Sequence, residues 1–133
     1  DVKGNIYIAD TGNHKIRMIS AVTRKITTIA GTGDAGYSDE LLATNAQLNN
    51  PHGVAVNLKG AVFVADTNNH RIRKVNREGK IFTVAGTGVA GFCPDNQLAI
   101  ETTLNFPHGV AVDIHGIYIA DTHNHMIRWI SHQ

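Results

Sequence analysis

The length of 133 residues suits one domain, and a composition of 42% hydrophobic and 17% charged residues is that of a globular chain rather than a disordered one. Twelve Lys and Arg residues against 11 Asp and Glu residues leave a formal charge of +1, which excludes an overall basic field that would recruit nucleic acid. No apolar run reaches the roughly 20 residues of a membrane helix, and the single cysteine, Cys93, cannot form an internal disulfide, so it leaves the compartment undecided.

In chain order, the first region predicts three short strands and a long loop. IYIA at 6–9, IRMI at 16–19 and KITTIAG at 25–31 are rich in β-branched residues and are bounded by turn-forming residues, which is typical of strands. Because the first of these runs is apolar at every position, we expect both of its faces to be covered. A Gly-rich loop follows as far as Asn50, with one helical turn expected around Leu41 to Gln47.

The second region predicts four strands, and the third predicts three. The second region also contains a long loop, which runs as far as Asn105 and has one helical turn expected around Gln97 to Thr103. The predicted strands are GVAV at 53–56, VFVA at 62–65, IRKV at 72–75 and KIFTVAG at 80–86, then GVAV at 109–112, IYIA at 117–120 and IRWI at 127–130.

An internal repeat underlies this order of strands. PHGVAV begins at Pro51 and recurs at Pro107, which gives a unit of about 56 residues. A second motif that starts with Ala-Asp-Thr follows the same spacing in three copies. The copies are ADTGNHKIR at 9–17, ADTNNHRIR at 65–73 and ADTHNHMIR at 120–128.

The repeat predicts an all-β fold, a β-propeller of four-stranded antiparallel blades. GVAV suits the innermost strand of a blade, where small residues are favoured. Residues 1–50 then form a partial blade that lacks its inner strand plus a connecting loop, residues 51–106 form a complete blade plus its loop, and residues 107–133 form a partial blade that lacks its outer strand. About two and a half blades are fewer than the roughly 4 to 8 of a closed ring, so we expect either an incomplete arc of a larger propeller or a chain whose copies associate to close one.

The three Ala-Asp-Thr motifs resemble the signature of the NHL repeat, which is named after an Asn-His-Leu-like triplet. PHGVAV and the AGTG that precedes each long loop are similar to the extended form of that repeat. The resemblance covers essentially the whole chain and implies a β-propeller. It implies much less about function, because one fold serves many functions.

Four polar residues of the motif recur in every unit, and their recurrence indicates a structural role. A catalytic site is assembled once from different blades, whereas a group present in every unit performs the same local task each time. Asp and Asn suit a tight turn, and we expect each recurrent Arg to pair with an Asp of its own or the adjoining blade. The residues are Asp10, Asn13, His14, Arg17, Asp66, Asn69, His70, Arg73, Asp121, Asn124, His125 and Arg128.

His52 and His108 are candidate metal ligands. Each precedes an inner strand, so the two imidazoles could approach each other from neighbouring blades and hold a divalent metal. This Pro-His pair also resembles the zinc-binding histidines of the propeller-shaped peptidyl-amidoglycolate lyases, which implies a lyase-like alternative function. No cofactor is expected on the scaffold interpretation, and zinc or calcium is the alternative.

The sequence favours a non-catalytic binding or scaffold module that presents one rim and its long loops to a protein partner. Tyr37 and Phe92 in the loops, with Lys15 and Arg71 beside the motif histidines, are the candidate contact residues. RNA binding is a third hypothesis, weakened because the residue equivalent to Lys15 and Arg71 in the last copy is Met126 and because no aromatic platform accompanies them.

Overall fold

The structure is a computed structural model that describes residues 1–38 and 41–132. The described residues form ten β-strands in three antiparallel sheets. The strands are β1 (Ile6–Asp10), β2 (Lys15–Ile19), β3 (Ile26–Ala30), β4 (Gly53–Val56), β5 (Val62–Asp66), β6 (Arg71–Val75), β7 (Ile81–Ala85), β8 (Gly109–Val112), β9 (Gly116–Asp121) and β10 (Met126–Ser131).

Each sheet is a meander in which every strand pairs with its neighbour in the chain. The first blade has the order β1-β2-β3, the middle blade β4-β5-β6-β7, and the last blade β8-β9-β10. The predicted all-β class and the antiparallel sheets of three and four strands are therefore confirmed. None of the helices in the described parts of the chain has the length and apolar character needed to cross a membrane.

The hydrophobic core lies between the blades, as the apolar strand runs predict. All five residues of β5 are buried. Successive side chains of a strand point to opposite faces, so Val62 and Val64 pack with Ile16 and Leu48 toward the first blade. Phe63 lies in the core shared with the last blade, where its neighbours include Ile72, Leu104 and Ile119. The middle blade thus contributes to two cores at once.

The inner strands of neighbouring blades approach closely, and this approach requires glycine. A Cβ atom added to Gly53 would lie 2.6 Å from the carbonyl oxygen of His108. Glycine inside a strand often marks a place where another backbone comes near. The small residues of GVAV therefore bring β4 against β8 and place His52 beside His108.

The two long loops contain the short helical turns that the sequence indicates, as 3-10 turns at Ala43–Asn45 and Ala99–Glu101. The first loop also pairs with the middle blade. The amide of Ala43 donates to the carbonyl of Gly79 at 2.8 Å, and the amide of Ile81 donates to the carbonyl of Leu41 at 3.0 Å. The loop is therefore held against the start of β7.

Because consecutive strands are antiparallel, the chain reversals alternate between two rims. The loop rim carries the three hairpin turns that follow β1, β5 and β9, together with the long loops 31–52 and 86–108. The turn rim carries the remaining reversals. These are residues 1–5, 20–25, 57–61, 76–80 and 113–116.

Candidate functional site

The four recurrent polar residues of each blade form a hairpin cluster on the loop rim. In the middle blade, Asp66 Oδ2 accepts a hydrogen bond from Asn69 Nδ2 at 2.9 Å and lies 3.4 Å from Arg73 Nη1. A 3-10 turn over Thr67–Asn69 brings Asn69 back toward Asp66. His70, in the left-handed region at φ 52°, then returns the chain into β6 and so places Arg73 beside the carboxylate.

The first and last blades repeat this geometry. Each arginine pairs with the aspartate of its own blade, which is one of the two arrangements that the sequence leaves open. Arg128 also pairs with Asp95 of the preceding loop, with Nη2 and Oδ1 3.0 Å apart. The Arg Nη1 to Asp Oδ2 distance is 3.5 Å in the first blade and 3.4 Å in the last. The asparagine to aspartate hydrogen bond is 2.9 Å in the first blade and 2.8 Å in the last. The residues are Asp10, Asn13 and Arg17 in the first blade, and Asp121, Asn124 and Arg128 in the last, with His14 and His125 in the left-handed region.

The clusters of the middle and last blades also hold the long loop that arrives from the preceding blade. Asn69 Nδ2 donates to the carbonyl of Gly36 at 2.7 Å, and Arg73 Nη2 donates to the carbonyl of Ser38 at 3.3 Å. In the last blade, Asn124 bonds the carbonyl of Gly91 at 2.9 Å and Arg128 that of Cys93 at 3.2 Å. The Asn Nδ2 and Arg Nη2 donors of these two clusters are therefore used within the molecule.

Burial differs among these otherwise identical ion pairs. The side chains of Arg73 and Asp66 are 1% and 0% exposed, whereas those of Arg17 and Asp10 are 26% and 28% exposed. Burial raises the pKa of the Asp66 carboxyl above its usual value, and the hydrogen bonds from Asn49 and Asn69 and the charge of Arg73 oppose that shift.

The motif histidine accepts a backbone hydrogen bond, a role that the sequence analysis missed. His70 Nδ1 accepts from the amide of Phe106 at 3.1 Å, and His14 Nδ1 accepts from the amide of Asn50 at 3.0 Å. An accepting Nδ1 carries no proton, so the ring must be neutral. Burial lowers the pKa of His70, and the charges of Arg71 and His123 lower it further.

The motif threonine connects consecutive blades, and this role was also missed. Thr11 Oγ1 donates to the carbonyl of Pro51 at 2.8 Å, and Thr67 Oγ1 donates to the carbonyl of Pro107 at 2.8 Å. Each bond joins a hairpin to the start of the next inner strand. The signal was present in the sequence, since Thr follows Asp in all three copies.

The structure brings the two candidate metal ligands together, with the ring centroids of His52 and His108 4.5 Å apart. His52 Nδ1 lies 2.8 Å from the carbonyl oxygen of Asn50, and His108 Nδ1 lies 2.7 Å from that of Phe106. A carbonyl can only accept, so both Nδ1 atoms donate, and in the neutral form of each ring Nε2 has a lone pair. This tautomer is the one that metal-ligating histidines adopt.

The comparisons with known proteins agree with this repeated geometry. The family model described as NHL repeat matches residues 48–75 and 104–130, which include the hairpin clusters of the middle and last blades. These two segments of the chain are NHL repeats. The first blade lies outside the two matched segments, although its cluster has the same NHL geometry.

Two curated relatives match part of the chain. Protein SUPPRESSOR OF QUENCHING 1, chloroplastic, from Arabidopsis thaliana is 42% identical over 65% of this chain and 8% of its own length. NHL repeat-containing protein 2 from Homo sapiens is 40% identical over 63% of this chain and 12% of its own length. The chain therefore spans about a tenth of the length of these relatives.

Solved structures share the NHL-type fold. A protein of unknown function from Bacteroides thetaiotaomicron matches with a TM-score of 0.85 and 24% identity, over 98% of this chain and 33% of that one. A streptogramin B lyase matches with a TM-score of 0.63 and 17% identity, over 98% of this chain and 35% of that one. At these identities the likeness shows the fold alone.

The histidine pair of the NHL chain lies in a larger aromatic group. His123 stacks on His108 at 6.1 Å and on Phe106 at 4.6 Å between ring centroids, and Phe106 meets His70 edge to face at 4.4 Å. His123 occurs in the last copy only, so the repeat gave no signal for it. Within the described residues, no group of three or more His, Cys, Asp or Glu has the geometry to hold a metal ion.

The four predicted contact residues of the NHL chain fall into two kinds. The guanidinium of Arg71 lies 3.8 Å from the ring centre of Tyr37, and its Nη2 donates to the carbonyl of Thr87 at 2.8 Å, so both side chains are engaged internally. Phe92 occupies the equivalent loop position to Tyr37, but it is 59% exposed. Lys15 is half-buried and packs near Gly33. These residues do not form an exposed basic row.

Proposed function

We propose that the chain is a non-catalytic binding segment of an NHL-repeat propeller and that its long loops contact a protein partner. The observation that supports this most strongly is a difference between the polar and the apolar side chains of the loop rim. The polar side chains of the hairpin clusters bond to one another and to the loop backbone. The long loops, in contrast, leave several large apolar side chains exposed among their polar residues.

The exposed apolar residues of the loops form the proposed contact surface. Loops held on a rigid scaffold commonly carry binding residues. A large aromatic such as Phe92, held by a fixed loop, is the kind of anchor that dominates protein interfaces. The exposed fractions are 58% for Leu41, 48% for Leu42, 66% for Val89, 59% for Phe92, 65% for Leu98 and 57% for Ile100.

A peptide-display selection on the immobilised chain tests this proposal. Selected peptides are synthesised, and their affinity is measured by fluorescence anisotropy against the chain and two variants. We expect Phe92→Ser and Leu98→Ser to weaken binding by about tenfold or more each, because each removes an exposed apolar contact. Leu58→Ser serves as the matched control, since Leu58 is 72% exposed but lies on the turn rim.

Two outcomes would count against the proposal. One is a selection that yields no peptide of reproducible affinity. The other is a set of peptides whose affinity the loop variants leave unchanged while the Leu58 control reduces it.

The histidine pair supports a second candidate function, metal binding as in a metal-dependent propeller enzyme. The two Nε2 lone pairs suit zinc, whereas calcium prefers oxygen ligands and fits this pair poorly. A catalytic zinc site uses three protein ligands and an open position. The described residues supply two, so His52 and His108 alone do not complete such a site.

Zinc titration by calorimetry separates the two functions. Binding that is lost in both His52→Gln and His108→Gln, but kept in a His115→Gln control on the turn rim, would favour the metal-dependent alternative. Heat that is absent, or that is equal in all three variants, would favour the scaffold function.

A further inference from the structure

The turns next to the inner strands present an aliphatic side chain to solvent in every blade. Val2, Leu58 and Ile114 occupy equivalent positions, and they are 71%, 72% and 73% exposed. Val22, at a reversal on the same rim, is 90% exposed. Single exposed apolar residues are common, but an exposed aliphatic residue at the same position of three repeats indicates a specific role.

The turn itself does not need an aliphatic residue at this position. Asn57 closes its turn by accepting hydrogen bonds from the amides of Lys59 at 3.1 Å and Ala61 at 2.9 Å, and the intervening Leu58 side chain is 72% exposed. Asp1 accepts from the amides of Lys3 and Asn5 at 2.9 Å each. A polar residue would serve these turns equally well and would be better solvated.

Charge is also concentrated on the turn rim, although the whole chain is nearly neutral. The described reversals on this rim contain six cationic and three carboxylate side chains, which gives them a net charge of +3, whereas the chain as a whole carries +1. The rest of the sequence therefore sums to −2. The cations are Lys3, Arg24, Lys25, Lys59, Arg77 and Lys80, and the carboxylates are Asp1, Glu78 and Asp113.

The aliphatic and cationic residues of neighbouring blades lie side by side. One cavity of about 360 Å³ between the first and middle blades is lined by Val2, Lys3, Leu58, Lys59 and Arg77. The tips of the first and middle blades therefore place apolar and positive side chains near one another in a row along the rim, and Ile114 lies at the equivalent tip of the last blade.

The composition of this row fits a lipid surface better than a protein. Protein interfaces are depleted in Lys, and their energetically important residues are mainly Trp, Tyr and Arg rather than Leu or Val. None of the described tips carries Phe, Tyr or Trp, although Tyr7 of the adjoining strand lines the cavity between the first and middle blades. Membrane surfaces instead bind elements that combine apolar residues, which enter the headgroup region, with Lys and Arg, which pair with anionic headgroups.

We propose that the turn rim docks peripherally on an anionic lipid surface. Val2, Val22, Leu58 and Ile114 enter the headgroup region, and the six flanking cations pair with the lipid phosphates and carboxylates. The loop rim, which lies at the opposite ends of the strands, then faces away from the lipid. This orientation leaves the long loops free for a partner.

Co-sedimentation of the full chain with vesicles tests the proposal. Vesicles of phosphatidylcholine alone are compared with vesicles that also contain phosphatidylserine, each at low and high salt. We expect binding only to the vesicles with phosphatidylserine, and weaker binding at high salt. The double variant Lys59→Gln with Arg77→Gln is expected to bind about 25-fold more weakly, at about fivefold per cation.

Matched variants separate the rim from the rest of the surface. Leu58→Ser with Ile114→Ser should bind about tenfold or more weakly, whereas Val89→Ser with Leu98→Ser, at equally exposed loop positions, should bind as the unchanged chain does. Circular dichroism verifies that every variant is folded.

Equal binding to both kinds of vesicle, or equal losses in the turn-rim and loop variants, would overturn the proposal. So would binding to a single-stranded RNA or an acidic peptide at a salt concentration where the vesicles are not bound. None of these results depends on whether the loops bind a protein partner, so the proposed function stands or falls separately.

Discussion

The hairpin clusters of the first and middle blades contain the same residues at nearly the same distances, yet they lie in different surroundings. Arg73 and Asp66 are buried, whereas about a quarter of each side chain is exposed in the pair Arg17 and Asp10. The covering element is the loop that bonds Asn69 through Gly36 and Arg73 through Ser38. The comparison shows that a repeated motif fixes geometry, whereas the neighbouring blade decides how much each contact contributes to stability.

Removing the carboxylate charge should separate the two blades most clearly. Asp66→Asn leaves Arg73 buried without a counter-charge, and we expect the free energy of unfolding to fall by about 3 to 5 kcal/mol. Asp10→Asn is the matched control. Because Arg17 is already partly exposed to water, this change should lower the free energy of unfolding by about 1 kcal/mol or less. Urea unfolding of both variants measures the difference, and equal losses would show that burial does not control these pairs.

A backbone clash should instead affect the two blades equally. A Cβ atom on Gly31 or Gly86 would lie very close to the carbonyl oxygen of His14 or His70, and both glycines have φ above 90°. We expect Gly31→Ala and Gly86→Ala each to lower the free energy of unfolding by at least about 2 kcal/mol. Gly79→Ala is the control, because Gly79 has φ +78° but open space around it. This variant should lose only the stability that the unfavourable backbone conformation of Ala costs. A large difference between the first two variants would contradict this reasoning.

Acidification should act on the middle blade through His70. Its pKa lies below the ordinary value of 6.5, so the unfolded chain takes up a proton before the folded chain does. Stability is therefore fully present above pH 6.5 and is lost as the pH falls through the lowered pKa. Urea midpoints over this range should fall less in a His70→Asn variant, because Asn tolerates the left-handed backbone and does not titrate. If the urea midpoints of the variant fell with pH as steeply as those of the unchanged chain, the acid sensitivity would belong to another group.

The smallest expected effect is a gain of stability in the first blade. Arg24 has φ +60° at the reversal where the middle blade has Gly79 with φ +78°. Arg24→Gly removes the cost of this left-handed conformation, and the greater freedom of the unfolded chain offsets part of the gain, so we expect about 0.5 to 1 kcal/mol of added stability. A melting temperature that is unchanged or lower would show that the Arg24 side chain makes a compensating contact.

Most of the fold could be predicted because it depends on local patterns. β-Branched runs between turn residues predict the strands, and the small residues of GVAV predict the inner position that Gly53 occupies against His108. The register of the repeat also predicts that His52 and His108 come from neighbouring blades. The sequence also predicts that each recurrent Arg pairs with a recurrent Asp, although the own-blade pairing of Asp66 with Arg73 required the structure.

The remaining features of the site depend on contacts between units, which a sequence pattern does not display. Nothing in the motif indicates that His70 would accept the amide of Phe106, 36 positions along the chain. His123 occurs in the last copy only, so the repeat does not predict its contacts with Phe106 and His108. The net charge of +1 likewise conceals the basic turn rim, since antiparallel pairing sorts the reversals onto one side.

The bonds from Thr11 to Pro51 and from Thr67 to Pro107 have a consequence for cooperativity. Each ties a hairpin of one unit to the first strand of the next, so the array behaves as a row of nearest neighbours in which every unit helps to order the following one. A defect in the middle unit then weakens two couplings, whereas a defect in the first weakens one. Melting of this array should begin in the units with one coupling, the first and the last, and spread toward the middle unit. The order in which amide protons exchange along the chain would record that direction.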